Sequence, residues 1–306
     1  MKTPSKILSV FIQSCFITFP MLLVMSINAY PLIHTIIKSF TYWDGITKSV
    51  FVGLVNYFRI VANPTFDRLL VNSSIVLLYM PISIVVSTIL AVVIASRKKT
   101  RLIMYVVYIP QIVSVIILGK SFRLLFNYNG YFNQILEKIG FTRIDFLGNH
   151  RYSLAIILLA MVWFEFGWQT IMFISAIKRI DSSFSELMLI DNLGVIKKIF
   201  SIYLPNIRNT IIFVAFIGLM FSFTGVFPLV YFLTGGGPGY DTTTLDYMIY
   251  IKAFGTGNNM GEACALSVLF LLFMFFVIII FYAFIKLGGY IDRLWVQHET
   301  QNIRNS

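Results

Sequence analysis

Long, nearly unbroken apolar stretches alternate with short polar segments along this chain. Six of the stretches approach or exceed the length of about twenty residues that a helix needs to cross a bilayer: 7–37, 70–95, 102–119, 152–177, 210–233 and 263–285. The pattern predicts an all-α polytopic membrane protein, a single transmembrane domain over 1–306 with six transmembrane helices. One polar segment is unlike the rest. In 178–209 the run ELMLIDNLGVIKKIFSIYLP, from Glu186 to Pro205, carries Glu186, Asp191, Lys197 and Lys198 between apolar residues. Phe184, Leu187, Met188, Ile190 and Leu193 recur at helical spacing behind an N-cap offered by Asp181-Ser182-Ser183. Asn192 and Gly194 suit the end of such a helix. Ile196, Ile199, Phe200 and Tyr203 continue the pattern, and Pro205 stands just before the fifth span. Two short helices would form a compact knob with an apolar face. That knob either lies in the headgroup layer or fills a groove on a partner.

Composition agrees with the pattern. The chain is 58% hydrophobic and 12% charged, against about a quarter charged in soluble domains. The opening Met-Lys-Thr-Pro-Ser-Lys imitates the start of a signal peptide, but the apolar run behind it is too long and has no small-x-small cleavage site, so it is read as a retained span. Cys15 and Cys264 fall in apolar segments, give no disulfide framework or metal spacing, and are expected to be buried, inert thiols. The net charge of +11 is explained by orientation. With both termini inside the cell, the inner segments hold 14 Lys and Arg and the outer ones 10. The compact basic hairpin Arg97-Lys98-Lys99-Thr100-Arg101 marks its side as cytoplasmic. Both termini are therefore expected in the cytoplasm of a multi-pass plasma-membrane protein, and nothing points to nucleic acid.

Catalytic and nucleotide-binding patterns are missing. Gly235-Gly236-Gly237-Pro238-Gly239 is glycine-rich but is not followed by the Lys-Ser/Thr of a phosphate cradle; it is expected to form a tight external loop where the fifth span ends. His34, His150 and His298 are scattered and form no metal motif. Uphill transport would need an ion gradient or another polypeptide as its energy source. Inside the spans, Glu165 in Trp163-Phe164-Glu165-Phe166-Gly167-Trp168-Gln169 is the notable ionisable residue. A carboxylate at that depth faces a bundle interior or a watery path. It either lines a translocation path, with Gln169, or serves as a structural partner. Trp163 and Trp168 suit stacking on sugar rings or an interfacial belt, and Tyr42 and Trp43 suit an interfacial anchor. Asn72 and Asn28 are either path residues or helix–helix hydrogen bonders.

The 186–205 segment resembles the loop of bacterial ABC-importer permeases, E-A-A-x(3)-G-x(9)-I-x-L-P. Glu186, Ile202, Leu204 and Pro205 match, and Asp191 matches the Asp that often precedes the glycine. Leu187 and Met188 replace the two alanines, and Asn192 replaces the glycine, with Gly194 two places on. Further stretches are similar to the carbohydrate-uptake branch: Leu233-Thr234-Gly235-Gly236-Gly237-Pro238-Gly239 with Thr242-Thr243-Thr244-Leu245, Ser39-Phe40-Thr41-Tyr42-Trp43-Asp44-Gly45, Gly53-Leu54-Val55-Asn56-Tyr57 and Asn72-Ser73. The resemblance implies the type I importer permease fold and a chain that is not itself an enzyme, with no cofactor or metal. It also implies partners: a second homologous permease, a cytosolic ATPase dimer whose groove takes the knob, a solute-binding protein, and a sugar substrate. The competing readings are a permease for another solute such as glycerol-phosphate, an ion-coupled carrier acting alone, and a membrane-embedded enzyme.

Overall fold

The computed structural model describes residues 6–95, 97, 100–180, 199–255 and 259–305. Helices dominate. They are α1 (Lys6–Ser39), α2 (Val55–Val61), α3 (Thr65–Val76), α4 (Tyr79–Ala95), α5 (Arg101–Ile112), α6 (Val115–Phe126), α7 (Tyr131–Lys138), α8 (His150–Ile177), α9 (Leu204–Thr224), α10 (Val226–Leu233), α11 (Leu245–Phe254) and α12 (Met260–Asn305). A two-stranded antiparallel hairpin, β1 (Thr41–Tyr42) and β2 (Val50–Phe51), follows α1.

Five segments are long and apolar enough to cross a membrane: Phe11–Ser39, Thr65–Ala95, His150–Ile177, Leu204–Thr224 and Met260–Gly289. A sixth is counted if α5 and the α6–α7 stretch, bent by 91° at their junction, form one span. The segment expected as one helix over 102–119 is thus broken. Its cause is local: Val113 and Ser114 adopt extended backbone with ψ of 134° and 142°. Pro110 in the last turn of α5 has no N–H to continue the helical ladder. The fifth stretch is also divided, at Gly225 between α9 and α10. The outer segment expected after 233 contains a ten-residue helix, α11.

The chain falls into two compact units, 1–63 with 249–273, and 64–248 with 274–306. In the first, buried Asn56 donates to the carbonyls of Ser39 and Thr41 at 2.9 Å each. The Gly261 N–H donates to the Trp43 carbonyl at 2.9 Å, an approach so close that a Cβ at Gly261 would collide with the Thr41 carbonyl. Glu262 accepts a 2.8 Å bond from Lys252.

The second unit holds the helical core. Ala91, Val92 and Ile94 of α4 pack with Phe173, Ile174 and Ile177 of α8 and with Ile207 and Val214 of α9. Asn149 caps α8, its side chain accepting from the Arg151 N–H at 2.9 Å. The Tyr79 hydroxyl, wholly buried, donates to the Gly218 carbonyl at 2.7 Å, joining α4 to α9. Gly167 lets α5 lie directly against α8, since a Cβ there would overlap the Val107 carbonyl. Small residues at such crossings let helix backbones approach inside a membrane, where packing replaces the hydrophobic drive. The expected buried thiols are corrected: Cys15 is exposed and Cys264 is half-buried; Cys15 lies in the stretch 11–33 of α1, all of which is exposed.

Candidate functional site

Three arrangements of polar groups stand out in the second unit. The first centres on α8. Glu165 is 2% exposed, and its Oε2 accepts from Trp168 Nε1 at 2.7 Å and from Gln169 Nε2 at 3.3 Å. Gln169 is fully buried, and its Oε1 accepts from the Ser87 hydroxyl of α4 at 3.2 Å. The carboxylate has no ion-pair partner among the described residues; indole and amide donors satisfy it instead. The i, i+3 and i, i+4 spacings put Trp168 and Gln169 on the face that carries Glu165. Trp163 is on another face, 37% exposed and packed against the Phe122 ring at 5.9 Å. The structure therefore brings Glu165, Trp168 and Gln169 together and leaves Trp163 and Asn72 out.

Asn72 belongs to the second arrangement. Its amide nitrogen donates to the carbonyls of Tyr240 and Thr243, both at 2.9 Å. The Ser73 hydroxyl accepts from the Leu245 N–H at 3.0 Å, and Arg68 pairs with Asp241 at 2.9 Å. These bonds fasten α3 to the glycine turn. Within the turn, Gly235, Gly236 and Gly239 have φ of +64°, +82° and +57°, values an L side chain adopts only with strain. At Gly236 a Cβ would also strike Thr243 Oγ1 and the Tyr247 ring. Gly237 and Pro238 are joined by a cis peptide bond, and the Thr242 and Thr243 hydroxyls donate to the carbonyls of Gly237 and Gly236 at 2.8 and 3.0 Å. The result is a closed, tightly bonded turn. Behind it, Asp246 accepts from the Thr244 hydroxyl and the Tyr247 N–H, while its Oδ2 is buried without a partner. Burial pushes the Asp246 carboxyl above the ordinary range, against the pull of those hydrogen bonds.

The third arrangement is a cleft of about 680 Å³ beside the turn, lined by Lys120 and Arg123 of α6 and by Tyr231, Phe232 and Tyr247, among others. A second hollow of about 330 Å³ shares Arg123 and Asn127 and reaches Gly237 and Pro238. Sequence reasoning missed this cleft: Lys120 and Arg123 entered only as charges at the end of a span. Their spacing of three in an apolar helix was the available signal. Beyond the cleft, Arg143 donates from Nε and Nη2 to the two carboxylate oxygens of Glu137, at 3.1 and 3.0 Å.

Of the expected knob, Phe184, Glu186, Leu187, Met188, Asp191, Asn192, Leu193 and Gly194 lie outside the described residues. Ile202 is in a wide helical turn, Ile199–Tyr203, and Leu204 and Pro205 open α9, where proline's missing N–H does no harm. Among the described residues no three His, Cys, Asp or Glu side chains gather as metal ligands.

Residues 45–288 match the family described as binding-protein-dependent transport system inner membrane components. The chain belongs to that family. It is a multi-pass permease component of the plasma membrane. Similar family members include the trehalose/maltose transport system permease protein MalF of Thermococcus litoralis, 29% identical over 82% of this chain and 86% of that protein. The sn-glycerol-3-phosphate transport system permease protein UgpA of Yersinia pestis is 28% identical over 78% and 81%. The fold is that of ABC-transporter permeases. A chain of a bacterial ABC transporter involved in import of the acidic polysaccharide alginate superposes with a TM-score of 0.73 at 20% identity, over 91% of this chain and 99% of that one.

Proposed function

We propose that this permease forms half of the translocation pathway of an ATP-driven carbohydrate importer. Its partners are a second, homologous permease, two copies of a cytosolic ATPase, and a solute-binding protein on the outer side. The observation that carries this reading is the family match over residues 45–288. It is supported by relatives named for trehalose/maltose and arabinooligosaccharide transport. Both termini and the 178–209 loop face the cytoplasm, in keeping with the Arg97–Arg101 basic hairpin. The Glu186–Pro205 knob is the coupling element. Its apolar face enters the ATPase groove, Glu186 fixes its orientation, and Pro205 sets where α9 begins. Buried Glu165, which also accepts from Gln169, holds the half-buried Trp168 indole at membrane depth, and that ring is the group of this cluster a hydroxylated cargo would meet. The glycine turn and the grip of Asn72 on it form the outer rim.

The test is reconstitution with the operon-encoded partners. Wild-type complex is expected to take up saccharide only with ATP, whereas Glu186→Lys inserts normally, fails to co-purify with the ATPase and transports nothing. Unimpaired co-purification and uptake in that variant would refute the coupling role. Uptake that persists without any ATPase would sink the importer reading itself.

A further inference from the structure

The 680 Å³ cleft is not needed to close the turn or to join the helices, yet its chemistry is specific. Lys120 and Arg123 are three residues apart on α6 and so face the same way. Both are exposed. Among the described residues neither has a carboxylate partner, whereas other cations of this unit, Arg68 and Arg143, are paired with Asp241 and Glu137. The Lys120 ammonium rests over the Phe232 ring, 5.2 Å from its centre. Tyr231 and Tyr247 stand edge to face at 5.8 Å and form an aromatic wall. Among the described residues, no acidic one lines the cleft. Asp145, the one acidic residue among the described residues that border the adjoining hollow, already accepts the Gly148 N–H at 2.8 Å.

The backbone beneath the cleft is held firmly. Gly119 allows α6 to rest on α10, where a Cβ would come within 3.1 Å of Phe232 Cβ. Gly130 tolerates no side chain, because a Cβ would sit 2.6 Å from the carbonyls of Leu124 and Leu125. The Tyr247 hydroxyl donates to the Gly235 carbonyl at 3.3 Å, tying the aromatic wall to the turn. Two unpaired cations, side-chain amide from Asn127 and flat aromatic faces, in a hollow within the size range of small-ligand sites, describe a receptor for a ring or polyol bearing an anion.

We propose that this cleft binds the anionic group, carboxylate or phosphate, of a polyhydroxylated cargo. The inference rests on the importer reading above and names the cargo's charge class. Arg123 forms a two-pronged bond to the anion, Lys120 adds a second positive charge, and Tyr231 and Tyr247 cover the carbon skeleton. A single acidic side chain from a docking protein would fill little of such a volume, which favours a small solute.

The experiment uses the full complex in proteoliposomes with three cargo probes: a uronate oligosaccharide, a sugar or polyol phosphate, and a neutral oligosaccharide. Each is measured for ATP-dependent uptake with Lys120→Gln, Arg123→Gln and the double variant. The expected result is that one anionic probe is carried in preference to the neutral one. Its half-saturation concentration should rise about tenfold or more in each single variant, since a hydrogen bond to a charged group is lost. Arg123→Lys should recover part of the loss, and co-purification with the ATPase should be unchanged in every variant. The uronate and phosphate arms tell which anion is held. Preferential uptake of the neutral probe, unaffected by either substitution, would overturn the cleft assignment and leave the importer reading intact. ATP-dependent uptake of none of the probes would defeat both. If the variants weaken docking of the cargo-free binding protein to the same extent, the cleft is a protein-docking surface and the proposal falls.

Discussion

Asn72 commits its amide hydrogens to the carbonyls of Tyr240 and Thr243, and it is 3% exposed. Replacing it with Leu takes the side-chain donor from the Thr243 carbonyl and leaves the Tyr240 carbonyl with only the 3.2 Å bond from the Thr243 N–H. The expected cost is about 1–3 kcal/mol, that of a buried carbonyl left unpaired. It should appear as a lower thermal midpoint in detergent and as faster amide exchange across 239–245. Unchanged exchange there would show that the turn holds without α3. Asp246 offers a pH-dependent counterpart. Burial raises its folded-state carboxyl above the ordinary value, so the native state holds a proton that the unfolded chain has already released. The stabilisation is complete below the ordinary carboxylate range and is lost as pH climbs from there through the raised folded value. Asp246→Asn removes that titration. Its melting midpoint should fall less than the wild type's as the pH is raised from acid toward neutral, and parallel melting curves for the two proteins would contradict this. At this scale the sequence was legible in part. Asn72 and Glu165 were conspicuous because polar groups are scarce inside apolar stretches. Their partners were not legible, since Asn72 reaches carbonyls about 170 residues away and no local spacing encodes that.

Among the elements, the lesson lies in α5 and α6. Hydrophobic length alone cannot distinguish one straight span from two helices meeting at 91°, because both bury or expose the same residues to lipid. The break became visible only in the extended backbone of Val113 and Ser114, and its consequence is the cleft, which α6 could not line if it continued the axis of α5. The crossing of α5 on α8 was likewise hidden in one glycine of the Trp163–Gln169 run. Gly167→Ala sets two effects in opposition. Alanine favours the helix by about 1 kcal/mol over glycine, while its methyl would strike the Val107 carbonyl, a backbone atom that cannot rotate away. Overpacking of this kind costs about 1–3 kcal/mol. The clash should win, and the variant should melt below the wild type. A higher midpoint would mean that α5 moves aside freely and that the close crossing is not a determinant of the core.

Across the whole molecule, apolar residues serve two different purposes. Those of α4, α8 and α9 bury one another in the core, whereas the membrane-crossing windows of α1 and α12 have none of their residues buried inside the chain. In hydrocarbon such surfaces carry no penalty, because lipid tails are as apolar as leucine, so a membrane chain can keep helices that its own core does not require. Sequence patterning showed all of these segments as equally good spans; which of them build the core depends on tertiary contacts that period and length do not record. The family match also begins at residue 45, beyond α1. Starting the chain at residue 38 therefore removes surface that is exposed throughout 11–33, together with the packing of His34 on Trp43. The melting midpoint of the second unit, which holds the helical core, should shift by no more than about 4 °C, the change that about 1 kcal/mol produces in a domain of this size. Trp163 and Trp168 lie on α8 within the second unit, so with Trp43 and Trp295 replaced by Phe, indole fluorescence during thermal unfolding in detergent reads the integrity of that unit. A fall of about 10 °C or more would correspond to several kcal/mol and would show that α1 supports the helical core through contacts its exposed surface does not reveal.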